Sequence, residues 1–352
     1  MKKALLMITL MLGCMTVFAQ KIDKNEAKQI RAFLAQPAEK DATNAAALKV
    51  SNVNDIAGIE GITVVGGHVT AIEWKDKKLA GNLDLSGFDA LTKVDVSRNS
   101  ITALSVSGAA ALTELNASRN KLTSVDMTGA TALTKISLNR NRLTEITLDN
   151  MPQIENVNVS NNYFVALDVT NSSTIKTLNC QGNHLESLNV SGCTSLKNLY
   201  CGYNKLTTLN LFGVENLQNL NVDDNEISSM IVSGLPALST FVCSDNNMVT
   251  LGVRNCNNLM DLVCSYNDLT TLSVENCPNL TFVDCSYNDL TTLTLSNQTF
   301  LQRLLCNNNQ LNMLDVSFDQ ALTYVNCRYN MINDFRTIGD DNLRMVACQW
   351  NY

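Results

Sequence analysis

The sequence predicts a solenoid, in which one short structural unit is repeated and stacked along an axis. An asparagine recurs every 21 residues without interruption, thirteen times in all: Asn99, Asn120, Asn141, Asn162, Asn183, Asn204, Asn225, Asn246, Asn267, Asn288, Asn309, Asn330 and Asn351. A fixed period of this length indicates a supersecondary unit that packs against copies of itself. We number the 21 positions of each coil so that this asparagine is position nine.

The same apolar pattern surrounds each asparagine. Two coils far apart in the chain align as Leu112, Leu115, Ala117, Asn120, Leu122, Val125, Met127, Gly129 and Leu280, Val283, Cys285, Asn288, Leu290, Leu293, Leu295, Asn297. This pattern, L-x-x-L-x-L/C-x-x-N-x-L, resembles the leucine-rich-repeat family over residues 69–352. The resemblance implies a leucine-rich-repeat solenoid that is not an enzyme. Within that family the chain looks most like secreted bacterial surface proteins such as the internalins.

Each coil divides into two halves. Apolar and polar residues alternate at positions three to seven, as from Lys93 to Ser97, which predicts a short strand and, on stacking, a parallel sheet along the concave face. The asparagine at position nine is predicted to turn inward and bond the backbone of its own and the adjoining coil. The second half is too short and too rich in Thr and Val for a helix, so we predict extended or 3₁₀ segments on the convex face.

A column of glycine and asparagine closes the second half of each coil. Both residue types tolerate a left-handed backbone, which predicts a tight turn. The column contains Gly108, Gly129, Asn150, Asn171, Gly192, Gly213, Gly234, Asn255, Asn276 and Asn297.

Residues 20–68 lack the repeat and are predicted to form a small helical N-terminal cap. Helical spacing of apolar residues predicts a helix from Lys24 to Gln36, which Pro37 ends. The repeat domain, residues 69–352, then begins with a degenerate coil that carries one inserted residue near Gly81-Asn82. A degenerate first coil is typical of a capping repeat.

The first residues have the features of an export signal. Two lysines precede an apolar run over residues 4–12, and Val17-Phe18-Ala19 forms a small-residue cleavage site. We predict that residues 1–19 are a signal peptide and that the chain is exported, to the periplasm, the cell surface or the medium. A lipid anchor on Cys14, which follows Leu12-Gly13, is the alternative. The apolar run is too short for a membrane span.

The charge balance and histidine count limit the chemistry that the sequence supports. The formal net charge of −7 becomes −9 when Lys2 and Lys3 leave with the signal, and such acidity disfavours a nucleic-acid partner. His68 and His184, the two histidines, lack a catalytic arrangement beyond what the repeat explains. We therefore expect no enzymatic activity and no cofactor.

Three carboxylates, Asp223, Asp224 and Asp245, lie on neighbouring coils. A weak calcium site would need six to eight oxygen ligands. A solvated acidic patch is the simpler interpretation, so we predict no metal site.

Most cysteines occupy position six, which Val and Leu fill in other coils. Such a column is expected to be an apolar interior column of free thiols, because free cysteine packs as a small hydrophobe. The eight members are Cys180, Cys201, Cys243, Cys264, Cys285, Cys306, Cys327 and Cys348. Outside this column, Cys256 and Cys277 lie on adjacent coils, and the sequence leaves open whether they form a disulfide.

Function is predicted to lie in the positions that differ between coils. On the concave face these are positions three, five, seven and eight. Position eight is basic in the first coils, at Arg98, Arg119 and Arg140, which makes this row a candidate for an anionic ligand. The alternative is a solvated row whose like charges are relieved by Asp95 and Glu114.

The last coils are aromatic and apolar at the same variable positions. Exposed apolar clusters usually mark an interaction site, and Tyr and Trp dominate interface energetics. The predicted binding residues are Val242, Val263, Tyr266, Phe282, Tyr287, Leu305, Tyr324, Tyr329 and Trp350. Alternatively, these rings cover the open end of the stack. The leading hypothesis is a recognition protein that binds a protein partner; the alternatives are a glycan-binding protein and a structural or assembly protein.

Overall fold

The computed structural model describes residues 22–148, 151–170, 172–295, 298–317, 319–339 and 341–351. The predicted signal peptide, Cys14 and the turn residues Asn150, Asn171 and Asn297 lie outside these ranges. Within them, no helix is long and apolar enough to cross a bilayer.

The N-terminal cap begins with helix α1 (Lys24–Leu34). The Asp23 carboxylate caps it by accepting bonds from the backbone N–H groups of Asn25 and Glu26, at 2.8 and 3.2 Å. The predicted helix is therefore confirmed, although it ends two residues before Gln36. A short helix α2 (Asn44–Ala47) and a 3₁₀ turn (Ile56–Gly58) follow.

The cap also contains a β-hairpin that the sequence analysis missed. Strand β1 (Ile62–Val65) pairs antiparallel with β2 (His68–Glu73) across Gly66-Gly67, and both glycines have positive φ. A Gly-Gly pair between two alternating apolar runs is a recognised hairpin signal, so the information was present. Strand β2 then pairs in parallel with the first regular coil and so connects the cap to the stack.

The long sheet contains fifteen strands, and every pair after the hairpin is parallel. After β1 and β2, each coil contributes one strand, which covers positions three to five and is shorter than predicted. These strands are β4 (Lys93–Asp95), β6 (Glu114–Asn116), β8 (Lys135–Ser137), β9 (Asn156–Asn158), β11 (Thr177–Asn179), β13 (Asn198–Tyr200), β14 (Asn219–Asn221), β16 (Thr240–Val242), β18 (Asp261–Val263), β20 (Phe282–Asp284), β21 (Arg303–Leu305), β23 (Tyr324–Asn326) and β25 (Met345–Ala347).

The opposite side of the stack is built from short extended segments. Four small parallel sheets form there, and the one 3₁₀ turn among the described residues lies in the cap. The inserted residue of the first coil appears as a register shift between Gly81 and Asn82. The strands are β3 (Ala80–Asp84), β5 (Ser100–Ser105), β7 (Ser124–Asp126), β10 (Ala166–Asp168), β12 (Ser187–Asn189), β15 (Ser229–Ser233), β17 (Thr250–Arg254), β19 (Thr271–Glu275), β22 (Met313–Asp315) and β24 (Asp334–Arg336).

The asparagine column forms the predicted hydrogen-bonded ladder. Asn225 is buried, and its Nδ2 donates to the carbonyl oxygens of Cys201 and Val222 at 3.2 and 3.0 Å. Its Oδ1 accepts a bond of 2.9 Å from the backbone N–H of Leu206 in the preceding coil. Each asparagine thus links two coils at the bend after the strand, which supports a structural role.

The cysteine column lies inside the stack, with one exception. Seven of its eight members are buried free thiols, but Cys348 is exposed. The expectation of a fully buried column is wrong there, because no coil packs over Cys348 in the described part of the chain. Cys256 and Cys277 are free, and their thiols donate to the backbone carbonyls of Arg254 and Glu275 at 3.5 and 3.4 Å.

Candidate functional site

Positions three and five point away from the interior of the long sheet, where position four is buried. Parallel register places Phe282 beside Arg303, and Arg303 beside Tyr324, at position three of consecutive strands. Val242 and Val263 are neighbours at position five. These residues, and Leu305 at position five of β21, are half-buried or exposed, so the structure brings this part of the predicted site together on one sheet face.

The Arg303 side chain is held between two aromatic rings. Its guanidinium carbon lies 5.4 Å from the ring centroid of Phe282 and 5.7 Å from that of Tyr324. At these distances the cation is attracted to the ring faces, which orders three side chains on an otherwise open sheet. The two rings are among the binding residues predicted from the sequence, but Arg303 is not, although it occupies position three in the coil between them.

Position eight lies three residues after the last strand residue of each coil. The position-eight residues therefore form a row along the side of the sheet where its strands end, and we call this side the edge. Tyr266, Tyr287, Tyr329 and Trp350 all have positive φ there and are about half exposed. The ring centroids of Tyr266 and Tyr287 are 4.3 Å apart, and those of Tyr329 and Trp350 are 6.0 Å apart. The predicted site therefore consists of two parallel groups, one on the strands and one along the edge.

Position seven is exposed at Arg328 and Gln349 but buried in six of the thirteen coils, so its assignment to the exposed variable set is wrong for those six. Ser160, for example, is 4 % exposed. Its hydroxyl donates to Asn158 Oδ1 at 2.8 Å, and its backbone N–H donates to the same oxygen at 3.1 Å. A small hydroxyl residue fits here because the chain turns inward toward position nine, where little room remains.

We define the C-terminal aromatic patch as Tyr266, Phe282, Tyr287, Arg303 and Tyr324. The hydrophobic core of these coils is complete without it, since Leu, Val and Cys fill the interior columns. Three coils follow the coil of Tyr287 and one follows the coil of Tyr324, so the patch is not the terminal coil of the described stack. Within the described chain it is therefore an ordered surface cluster whose rings the core does not require.

The basic row of the first coils is exposed and lacks acidic partners. Among the described residues, Arg98, Arg119 and Arg140 make no ion pair within 4.0 Å. Glu114 and Asp95, which the solvated-row alternative invokes, make other contacts: Glu114 pairs with Lys135, and the Asp95 carboxylate accepts from a backbone N–H at 3.0 Å.

His68 has a carboxylate partner that the sequence analysis did not foresee. Its Nδ1 lies 3.0 Å from Oε1 of Glu26, whose other oxygen accepts a 2.8 Å bond from the backbone N–H of Val69. The Glu26 contact raises the pKa of His68, first through the hydrogen bond and then through charge. With Asp89, these residues place three metal-type ligand atoms within 4.8 Å of one another.

A shallow depression lies on the long sheet between the basic row and the aromatic patch. It encloses about 210 Å³ and is lined by the amides of Asn156, Asn158 and Asn179, with Lys135 and Tyr200 at its ends. It contains none of the predicted binding residues, and its lining resembles the rest of the amide-rich middle coils.

The architecture is that of a leucine-rich-repeat protein, as the sequence predicted. An internalin of Listeria monocytogenes, InlF, has a similar structure with a TM-score of 0.59 at 18% identity, covering 94% of this chain and 98% of that one. YopM, a leucine-rich effector of Yersinia pestis, gives 0.58 at 23% identity, covering 74% and 78%. A leucine-rich-repeat protein of Leptospira interrogans gives 0.53 at 18% identity, covering 77% and 78%.

These likenesses define the fold and its internalin-like coil spacing. No protein-family model matches the chain, and a search of curated proteins finds no match. At such identities, no binding residue of these structures is transferred to this chain.

Proposed function

We propose that the chain is an exported, non-enzymatic recognition protein that binds a protein partner through the C-terminal aromatic patch. The observation that carries the proposal is the ordered arrangement of Phe282, Arg303 and Tyr324 on an exposed sheet face. Tyr, Trp and Arg are the residue types that contribute most to protein interfaces, and a side chain that is already ordered loses little entropy on binding.

The edge row extends the same surface. Tyr266 and Tyr287 stand one and two coils from Asp245, with their rings 52% and 42% exposed. Half-buried Val242 and Val263 lie on the strands beside them, so an apolar centre is bordered by hydroxyl groups and one guanidinium. A partner with an apolar contact surface and acidic groups opposite Arg303 would match this composition.

The ring orientations favour a protein over a glycan. A sugar stacks on the open face of a ring, but the faces of Tyr266 and Tyr287 are turned toward each other, with planes inclined by 9°. The guanidinium of Arg303 likewise occupies one face of each ring beside it. One face of each of these rings is therefore already occupied by a neighbouring side chain, which reduces the ring surface on which a sugar could stack.

A paired array experiment tests this proposal. The chain from residue 20 onward is applied to arrays of cell-surface proteins and of glycans, in parallel with the patch variant Phe282→Ser/Tyr266→Asn/Tyr287→Asn. Asparagine is chosen at position eight because Asn161 and Asn308 already adopt positive φ there. We expect protein signals that the variant loses. Glycan signals lost by the variant would favour the glycan alternative, and unchanged signals would remove the patch from the site.

Export is tested separately. When the full sequence is expressed with its first 19 residues, we expect an exported chain that begins at Gln20. Protein sequencing of the exported product checks this. A product that begins at a lipid-modified Cys14, and that Cys14→Ser releases from the membrane, would support the lipid anchor instead.

A further inference from the structure

The basic row is a line of like charges on successive coils. Several lysines and arginines elsewhere in the stack pair with acids on an adjacent coil, as in Lys93–Glu73, Lys135–Glu114, Lys176–Glu155 and Arg254–Glu275. Arg98, Arg119 and Arg140 instead stand on three successive coils, about one strand spacing (~4.8 Å) apart, without an acid in ion-pair contact. All three are exposed and share the same left-handed backbone, so their charges form a regular line along one edge.

The same edge carries the opposite charge farther along. Position eight is Asp224 and Asp245 in two successive coils, both exposed and both with positive φ. Asp223 lies beside them, and its pKa is raised by desolvation and by the charges of Asp224 and Asp245. The carboxylates of the acidic segment therefore repel one another within one chain, as the guanidinium groups of the basic row do. Contact between a basic row and an acidic segment would relieve both repulsions.

The two segments are symmetric about one coil. Arg140 lies two coils before Gly182 and Asp224 lies two coils after it, all at position eight. Arg119 and Asp245 are three coils away on either side. Position ten follows the same rule, since Arg142 and Glu226 are each two coils from His184.

We propose that two copies of this chain associate edge to edge and antiparallel, about a two-fold axis at the coil of Gly182. Arg140 and Arg119 of each copy then face Asp224 and Asp245 of the second copy. A two-fold interface requires a self-complementary surface, in which residue i meets residue j and j meets i. The position-eight row is self-complementary in this sense, because its basic and acidic residues lie at equal coil distances on the two sides of Gly182.

The centre of the edge suits close approach. Gly182, at the proposed axis, has no side chain, whereas position eight carries Asn161 in the preceding coil and Tyr203 in the following one. Four coils from the axis, Arg98 of one copy would meet the ring of Tyr266 of the other, a cation–π arrangement. The strand-face residues Phe282, Arg303 and Tyr324 stay free, whereas Tyr266 belongs both to this contact and to the aromatic patch.

A second copy fits the basic row better than a free polyanion. The formal charge of −7 opposes a free polyanion and a second copy alike, so the choice between them rests on the local charges of this edge. The second copy supplies acids at the same coil spacing. Exposed ion pairs are individually weak, so the association should be reversible and sensitive to salt.

Charge reversal tests the proposal. One variant carries Arg119→Asp/Arg140→Asp, and the other carries Asp224→Arg/Asp245→Arg. Position eight already accommodates both residue types at positive φ, so both variants should fold like the native chain, as checked by circular dichroism and thermal melting. The control Lys24→Glu/Lys28→Glu changes net charge as the first variant does, on the exposed side of α1.

Sedimentation velocity gives the readout. We expect a native dimer at about 0.01 M NaCl that dissociates at about 1 M, where charges are screened over about 3 Å. Each reversal variant alone should be monomeric at low salt, an equimolar mixture of the two should form a 1:1 dimer, and the control should behave like the native chain. A monomeric native chain at low salt, or folded variants that do not associate when mixed, would overturn the proposal. Binding of the basic row to polyglutamate or DNA by an otherwise monomeric chain would assign it to a free polyanion instead.

Discussion

The ring of Tyr266 stacks on the ring of Tyr287 in the next coil, with centroids 4.3 Å apart and planes inclined by 9°. One coil separates the two residues, so the repeat itself sets this stacking distance. Arg98 and Arg119 occupy the same repeat position, position eight, in two earlier coils. Their backbone φ angles are nearly the same as those of the two tyrosines. The backbone is therefore constant along the edge, and only the chemistry of position eight changes.

The asparagine ladder is predicted to stabilise the fold and not to bind a ligand. In Asn225→Ala, the carbonyl oxygens of Cys201 and Val222 each keep a second hydrogen bond. These bonds come from the side-chain amides of Asn204 and Asn246, at 2.9 and 3.0 Å. The N–H of Leu206 loses its acceptor, however, and an unpaired buried group costs about 1–3 kcal/mol. Urea unfolding should show this loss.

Asn247 provides the control for this measurement, because it is exposed and directly follows Asn246, the ladder asparagine of the next coil. Asn247→Ala should change the free energy of unfolding by less than about 0.5 kcal/mol. Equal stability of Asn225→Ala and the native chain would contradict a structural role for the ladder.

Thiol accessibility separates the last coil from the others. Of the eleven cysteines in the described residues, ten are buried and Cys348 is exposed. A thiol reagent should modify about one group rapidly in the native protein and the others only after denaturation. Cys348→Ser should remove the rapid phase; a rapid phase that persists in this variant would show that a second thiol is accessible.

The buried thiols predict a loss of stability at alkaline pH. Burial raises the pKa of Cys180 from 9.0 to about 12. Because the folded state holds this proton more tightly than the unfolded state, its contribution is complete below pH 9.0 and is lost as the pH rises toward about 12. Over that window Cys180 should lower the free energy of unfolding by about 1.4 kcal/mol per pH unit.

Cys180→Val should make this decline shallower, and valine already fills the same column at Val159 and Val222. Denaturant unfolding across the alkaline range measures the slope. Cys348→Ser, at the exposed thiol of the same column, is the control substitution. The same slope in Cys180→Val and the native chain would show that this thiol does not titrate as proposed.

The contact between His68 and Glu26 should make the cap more stable in acid. Glu26 raises the pKa of His68 by its hydrogen bond and its charge, and Asp89 and Asp23 add smaller effects in the same direction. The stabilising contribution is therefore complete below pH 6.5 and is lost as the pH rises through the folded-state pKa. In thermal melts, His68→Gln should differ from the native chain more at about pH 5 than at about pH 8. A larger difference at the higher pH would contradict this.

The repeat made most of the fold predictable. Residues at the same position of successive coils have the same surroundings. The roles of Asn225 and Cys201 could therefore be inferred from the other residues in their columns. Features outside the period were harder. The hairpin at Gly66-Gly67 lies before the first regular coil, and the contact between Glu26 and His68 joins residues 42 apart that no repeat relates.

The candidate site was predictable in composition but not in geometry. The sequence indicated that Phe282 and Tyr324 share a column, but the position of Arg303 between their rings depends on side-chain conformation. Similarly, position eight was assigned to the sheet face, whereas its left-handed backbone places it at the edge. That conformation is unusual for arginine and tyrosine, so sequence propensity gave no warning of it.

The central claim is that the aromatic patch serves binding and not packing. It is tested most directly by measuring the free energy of unfolding and the partner affinity of Phe282→Ser/Tyr266→Asn/Tyr287→Asn together. Two controls define the scale. Phe241→Ala, at a fully buried ring, should cost about 3–5 kcal/mol of stability. Phe212→Ser, at a ring that is 78% exposed outside the patch, should leave affinity unchanged.

We predict that the patch variant keeps its stability within about 1.5 kcal/mol of the native chain, since its three rings lie outside the core. Its affinity for the partner, measured by titration calorimetry, should fall by about 3 kcal/mol, which is about 100-fold. Native-like affinity in the folded variant, or a loss of stability as large as that of Phe241→Ala, would contradict the claim.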